Sequence, residues 1–494
     1  MKRAWRELKP DGTPQRTEET PRRAPLRILE LQRSAGNQAV ARLLAGRTLQ
    51  RYTQAQVSDR AAGIWEEKGA PTGQSAEQQG ADWAEAEKQV GAQERETKAR
   101  AEQRFTAKGV AGPQSDAEAQ KDWLEAEGSI ATQFRCDRAA DWERLLADDT
   151  VWDAAGLPGA AATALADVKD KVKVLFERLL TGTTPPRWLA LLDAEKAIDA
   201  FVAAHSGSLG RRADLLLMVK MHTLGLERRK LLIAERIERE YSIRLDSMAA
   251  VAANLASYGT GKENLDDFKA MMEPDLYSLE EMQSMETVLK RYASLLGPKR
   301  AQTLGAQPLT VFGRAKYGID YNADADPERD PDTRGESFSA SSLVAMYDAG
   351  SEASQFPTGM QQFRGTLAHE LSHALLEGLQ ASPGKTMIAK WVQDSEMWTT
   401  ENLTPYRRKT NAKTHAAVTA AGKEAPITDY GCTNAKEDMA DTIKFLFEDP
   451  AKLKAECPKR YRWMRDNLDK HFDADWVKSL PTVVAAQQQP LVTH

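Results

Sequence analysis

Residues 60 to 127 carry one pattern twice, forty residues apart: Arg60, Trp65, Lys68-Gly69 and Trp83-Ala-Glu-Ala-Glu87 recur as Arg100, Phe105, Lys108-Gly109 and Trp123-Leu-Glu-Ala-Glu127. A period of this length marks a supersecondary unit, and one such unit cannot bury its apolar face alone. Each copy reads as helix, glycine turn and helix, with the aromatic positions expected between the helices as core. Two copies predict a tandem helical module over residues 55–130 that leans on its neighbours.

Residues 1–54 hold 12 Lys/Arg against 5 Asp/Glu, which predicts a mobile basic arm. One piece of it differs. Between Leu26 and Leu44, Leu31, Ala35, Ala39, Val40, Leu43 and Leu44 fall at helical spacing, interrupted by Gly36-Asn37. This reads as a short docking helix or as a helix capping its own domain. The segment resembles one found near the N-terminus of proteins associated with extracellular contractile injection systems, the phage-tail-like syringes of bacteria. That resemblance implies an injection particle as partner, and release or delivery to a target cell. Residues 131–271 stay helical, with stripes such as Leu215, Met218, Val219 and Leu226, and are expected to form a helical domain. Gly259-Thr-Gly-Lys262 lacks the flanking Gly and Ser/Thr of a phosphate loop and reads as a turn. Residues 479–494, with Gln487-Gln-Gln489, read as a disordered tail.

The net charge of −5, from 67 Lys/Arg and 72 Asp/Glu, argues against a chain built to coat nucleic acid. No apolar run approaches the length of a membrane span, and the opening Met-Lys-Arg-Ala-Trp-Arg-Glu has no apolar stretch of a secretion signal. A protein without a membrane span, made in the cytoplasm of the producing bacterium, is expected. Cys136, Cys432 and Cys457 are too few and too far apart for a disulfide framework or a cysteine zinc site.

The texture changes at residue 272. A helical pattern over Leu279 to Leu296 precedes β-like runs at Leu309-Thr-Val-Phe312 and Leu343-Val-Ala-Met-Tyr347, and helices resume beyond them. The expected fold class is a mainly α N-terminal region followed by an α+β domain at 272–478. The acidic stretch Asp324 to Asp330 has Arg329 where a calcium loop needs glycine, and reads as a solvated loop.

The chemistry lies in Gly365-Thr-Leu-Ala-His-Glu-Leu-Ser-His-Ala-Leu-Leu-Glu-Gly378. His369 and His373 are four residues apart, which on a helix puts both imidazoles on one face at a separation suited to one tetrahedral zinc ion. Leu367, Leu371 and Leu375 form a neighbouring apolar stripe, so the helix can be buried while its histidines face a cleft. Glu370 is placed to act as general base on an attacking water. Only seven histidines occur in 494 residues, so a chance match is expected in on the order of one such chain in a hundred.

A third ligand is required, and Leu376 and Leu379 stand where the metzincin pattern would continue. The best source is the segment Thr428 to Phe447, which reads as a loop and then an amphipathic helix ending before Pro450. On it Glu437 could ligate the metal and Asp441 could orient a histidine. Alternatively, Asn434 and Glu437 form a capping box and Glu437 only binds its own helix N-terminus. Tyr430, seven residues earlier, could hydrogen-bond a developing oxyanion. His415 is a second candidate for ligand or transition-state donor.

The run His369-Glu-Leu-Ser-His373, the Tyr430-x6-Glu437 spacing and Glu437-Asp-x-Ala-Asp441 resemble the gluzincin peptidase domain of anthrax lethal factor and the Pro-Pro endopeptidases, over roughly 275–475. The resemblance implies a zincin-like fold and zinc-dependent endopeptidase activity on a protein or peptide. It implies Zn2+ on His369, His373 and Glu437, with Glu370 as base and Tyr430 assisting the oxyanion. Asp441 stands where that family more often has Glu, closer to thermolysin-like enzymes. Zincins pair an extended substrate with an edge strand above the motif helix, and Leu343 to Tyr347 is the expected strand. The two resemblances together point to an effector or toxin. The competing reading is a non-catalytic structural or loading component whose zinc only stabilises the fold.

Overall fold

The computed structural model describes residues 54–69, 75–109, 114–182, 184–254, 273–296, 311–320, 328–338, 343–378, 391 and 408–471. The expected docking helix at Leu26–Leu44, the turn at Gly259–Lys262 and the tail from residue 479 lie outside them. The helices used below are α1 (Gln54–Glu67), α2 (Ala76–Ala107), α3 (Asp116–Phe134), α4 (Ala139–Ala147), α5 (Gly159–Thr181), α6 (Thr184–Leu209), α7 (Arg211–Met218) and α8 (Gly225–Tyr241). Strand β1 (Arg244–Ser247) and helix α9 (Leu279–Leu296) follow, then β2 (Val311–Arg314), β3 (Gly318–Asp320), β4 (Glu328–Asp330), β5 (Gly335–Phe338) and β6 (Leu343–Met346). The last helices are α10 (Gly359–Gly378), α11 (Arg408–Ala420), α12 (Ala435–Glu448) and α13 (Pro458–His471). The chain is mainly helical and carries an α+β region, with two compact units: Met1–Phe134 with Val202–Gly225, and Arg135–Phe201 with Leu226–His494. Among the described residues no helix is long and apolar enough to cross a membrane.

In the first unit the forty-residue repeat has a physical basis. Lys68 and Lys108 reach forward to the buried Asp82 and Asp122, the second pair at 2.5 Å. Gly69 and Gly109, at φ 85° and 63°, take the left-handed turn that a Cβ disfavours. Arg60 Nε donates to Gln89 at 2.7 Å, and forty residues on Arg100 donates to Ser129 at 2.8 Å. Two expectations need correction. The second helix of copy one and the first of copy two are fused in the 32-residue α2, which runs unbroken through Gly91 with no proline at the junction. The repeated aromatics are only half-buried, while Ala61, Ile64 and Ala86 form the core. The indole N–H explains the position: Trp83 and Trp123 each donate to a glutamate four residues on, Glu87 and Glu127, at 2.9 Å, which a sealed core would not allow.

In the second unit the sheet order is β1-β2-β6-β5, with β1, β2 and β6 parallel and β5 antiparallel to β6. β2 and β6 are buried along their length, as central strands covered on both faces must be. Gly313 is needed there, since a Cβ would fall 2.0 Å from Met248 Sδ. The expected boundary at 272 does not separate compact bodies. β1 pairs with β2 from the N-terminal side of it, and Arg138, at the start of α4, donates to Leu276 O at 2.9 Å and to Glu281 at 2.6 Å. Glu328–Asp330, expected as solvated loop, is strand β4 against β3.

Candidate metal centre

Four side-chain pairs tie α10 to α12: Arg364 with Glu448, His369 with Asp441, and His369 and His373 each with Glu437. The numbers rise on one helix as they fall on the other, so the two run antiparallel. Phe363, Leu367, Ala368 and Leu371 of α10 and Met439, Ile443 and Leu446 of α12 belong to one apolar core; Leu375 falls outside the described side chains. Behind α10, Tyr292 of α9 donates to Ala368 O at 2.6 Å and meets Ser372 Oγ at 2.7 Å, which fixes the helix from the far side.

On the side facing α12, His369 Nε2, His373 Nε2 and Glu437 Oε2 form a triangle with all three edges at 3.1 Å. Among the described residues this is the group of His, Cys, Asp and Glu side chains that could hold a metal ion. Asp441 Oδ1 stands 2.9 Å from His369 Nδ1. With the proton on Nδ1, the Nε2 of His369 presents a lone pair to the other two donors. Three electron-rich atoms so close need a cation between them. Without a metal a proton serves: burial pulls His369 down, but its hydrogen bonds to Asp441 and Glu437 outweigh this and raise it to about 10. A proton can bridge one edge at a time, whereas a metal ion satisfies all three. The edges suit a small tetrahedral ion, for which ligand distances near 2.05 Å give ligand–ligand spacings of roughly 3.3 Å.

Burial pushes Glu437 up, but hydrogen bonds to both histidines hold it well below the usual carboxylate range. Its alternative role as a reciprocal cap is not what forms. Asn434 Oδ1 caps α12 by accepting from the backbone N–H of Lys436 and Glu437, and the Glu437 carboxylate turns to the histidines. Glu370 is buried beside them, and burial raises its pKa against the pull of His369 and His373. The Tyr430 ring lies 5.6 Å from that of His369, and its hydroxyl hydrogen-bonds Glu437. Tyr430 is 37% exposed as a whole, but desolvation of its hydroxyl end, then the charges of Glu437 and Glu370, raise the phenol above its ordinary value.

No match was found among family models, curated proteins or solved structures. The site therefore stands on its geometry.

His415 is elsewhere: its Nε2 is 3.0 Å from Pro426 O, and it does not join the metal group. Leu343 to Tyr347, expected as an edge strand, corresponds to β6, which lies inside the sheet between β2 and β5. Among the described strands the edge beside α10 is β5, where a Cβ on Gly335 would come within 3.2 Å of Glu370 Cγ. A four-residue strand beginning at glycine, Gly335-Glu-Ser-Phe338, left no apolar alternation to find it by. Two other neighbours were missed. Thr428 Oγ1 donates to Asp441 Oδ2, and Lys444 Nζ stands 3.7 Å from Asp441 Oδ1. The signal for Lys444 was a lysine inside the apolar run Ile443-Lys-Phe-Leu-Phe447. A cavity of about 40 Å³ beside Arg187, Glu227, Lys230 and Asp246 is away from these residues. It is large enough for a few waters only, and its charges are already paired.

Proposed function

We propose that the chain is a zinc-dependent endopeptidase of the gluzincin type, and that the Leu26–Leu44 segment marks it as an effector carried by a contractile injection particle. The observation that carries the peptidase reading is the triangle of two imidazoles and one carboxylate, backed by Asp441 and flanked by Glu370. Two histidines and a glutamate are a donor set typical of catalytic zinc, which leaves a coordination position open. A bound Zn2+ would polarise the scissile carbonyl and make water a nucleophile near neutral pH.

The chain's own groups supply the rest. Glu370 takes the proton of the attacking water and delivers it to the departing amine, and the environment that raises its pKa makes it able to do both. Asp441 keeps His369 in one tautomer and orientation. Tyr430 turns its hydroxyl from Glu437 to the oxyanion of the tetrahedral intermediate. Among the described strands β5 is at the edge, and its side away from β6 would offer backbone N–H and C=O groups to an extended peptide, with Gly335 sparing Glu370 a side-chain contact.

The test is zinc per chain by elemental analysis, with cleavage of a mixed peptide library, for wild type, Glu437→Ala and Glu370→Gln. About one zinc is expected in wild type and in Glu370→Gln, with most of it lost from Glu437→Ala. Glu370→Gln is expected to lose cleavage by about 10²–10⁴-fold. Zinc without cleavage in wild type would favour the non-catalytic reading, and wild type without zinc would overturn both.

A further inference from the structure

Lys444 sits where α12 should carry an aliphatic side chain, between Ile443 and Phe445, and is 5% exposed. Its stem passes α10 at Gly365, where a Cβ would come within 3.3 Å of Lys444 Cγ. Its ammonium ends 3.7 Å from Asp441 Oδ1, the oxygen that faces His369 Nδ1 at 2.9 Å. Lysine is rarely buried this deeply unless it is paired. Burial, with Arg334, outweighs the pull of the Asp441 and Glu370 carboxylates and brings its pKa below the ordinary lysine value.

Three carboxylates surround the metal group: Glu370, Glu437 and Asp441. With neutral histidines their formal charge is three negative; Lys444 makes it two, and a dication makes it zero. An enclosed site that far from neutrality is costly, so this count selects the charge of its ion.

We propose that Lys444 is the countercharge of the metal group: a positioning residue that shares Asp441 Oδ1 with His369 and tempers the affinity of the site for a divalent cation. The inference rests on the metal reading above. An ammonium next to Asp441 repels an incoming cation and competes with His369 for the carboxylate. Removing the charge while keeping the stem therefore tightens zinc binding. A purely structural role predicts the opposite, because Asp441 would lose a partner that holds it.

The experiment is zinc affinity by chelator competition on the full chain, for wild type, Lys444→Met and Lys444→Arg. Lys444→Met is expected to bind roughly ten- to a hundredfold more tightly, from Coulomb interaction across a partly screened interior. Lys444→Arg, which keeps the charge, is expected to stay near wild type. Unchanged or weaker binding by a folded Lys444→Met overturns the proposal. Should that variant fail to fold, Lys444→Gln is read in the same way, and failure of both neutral variants to fold establishes a structural role instead. Wild type that binds no zinc removes the metal reading and this inference together; zinc binding without tightening removes only the role of Lys444.

Discussion

Asp441→Asn separates orientation of the ligand from its identity, because it changes one oxygen to nitrogen and replaces no ligand. Asp441 is held by His369 through Oδ1, by Thr428 through Oδ2, and by Lys444 at 3.7 Å. An asparagine must present its oxygen to His369 and Lys444, since both are donors, and so turns its NH2 towards Thr428. Thr428 Oγ1 already accepts from Gly431 N at 2.9 Å. It would have to accept twice, leaving its own hydroxyl proton without the partner it had, at a cost of about 1–3 kcal/mol in stability. The bond to His369 also loses its charge assistance, which roughly halves its strength. Loss of such a supporting carboxylate lowers metal affinity by about 10–100-fold, or about 1.4–2.7 kcal/mol. Chelator competition reads the affinity and urea unfolding reads the stability. A folded Asp441→Asn chain that binds zinc within about twofold of wild type would refute the argument that Asp441 governs His369.

Two other outcomes follow from the same region. Burial raises Glu281, but Arg314 and Arg138 outweigh it and hold it at about 2 against an ordinary 4.5, so its contribution is complete above pH 4.5 and lost as pH falls towards 2. The loss should approach about 3 kcal/mol, and Glu281→Gln should unfold in urea with a flatter acid limb; an equal stability gap between the two chains at pH 6 and pH 3 would contradict this. Gly335→Ala places a methyl 3.1 Å from Thr366 Cγ2 and 3.2 Å from Glu370 Cγ, so Glu370 must shift by a few tenths of an ångström. Peptide cleavage should fall while zinc content stays at the wild-type value, and unchanged kcat would show that β5 does not set the position of Glu370.

The helical regions were legible because their signals are local. Leu279 to Leu296 is a helix as its spacing predicts, α12 starts at the cap residue Asn434 and stops before Pro450, and His369 and His373 share a face because any helix puts residues four apart together. Less local features were misjudged. The repeated tryptophans have the spacing of a core, yet they stay half-buried, each indole N–H donating to a glutamate one turn on. β5 and β6 are both too short to reveal which lies at the edge, since strand order is set by pairing across the sheet and not by composition.

The sequence by itself determined the donor atoms and the helix that holds two of them, because ligand chemistry and a spacing of four are properties of the chain. Only the tertiary structure decided that Glu437 and not His415 completes the group. The antiparallel packing of α10 on α12 brings residue 437 to residue 373 and residue 441 to residue 369, whereas His415 is drawn away to the carbonyl of Pro426. The same packing buries Lys444 beside Asp441, a meeting between helices that no local pattern encodes.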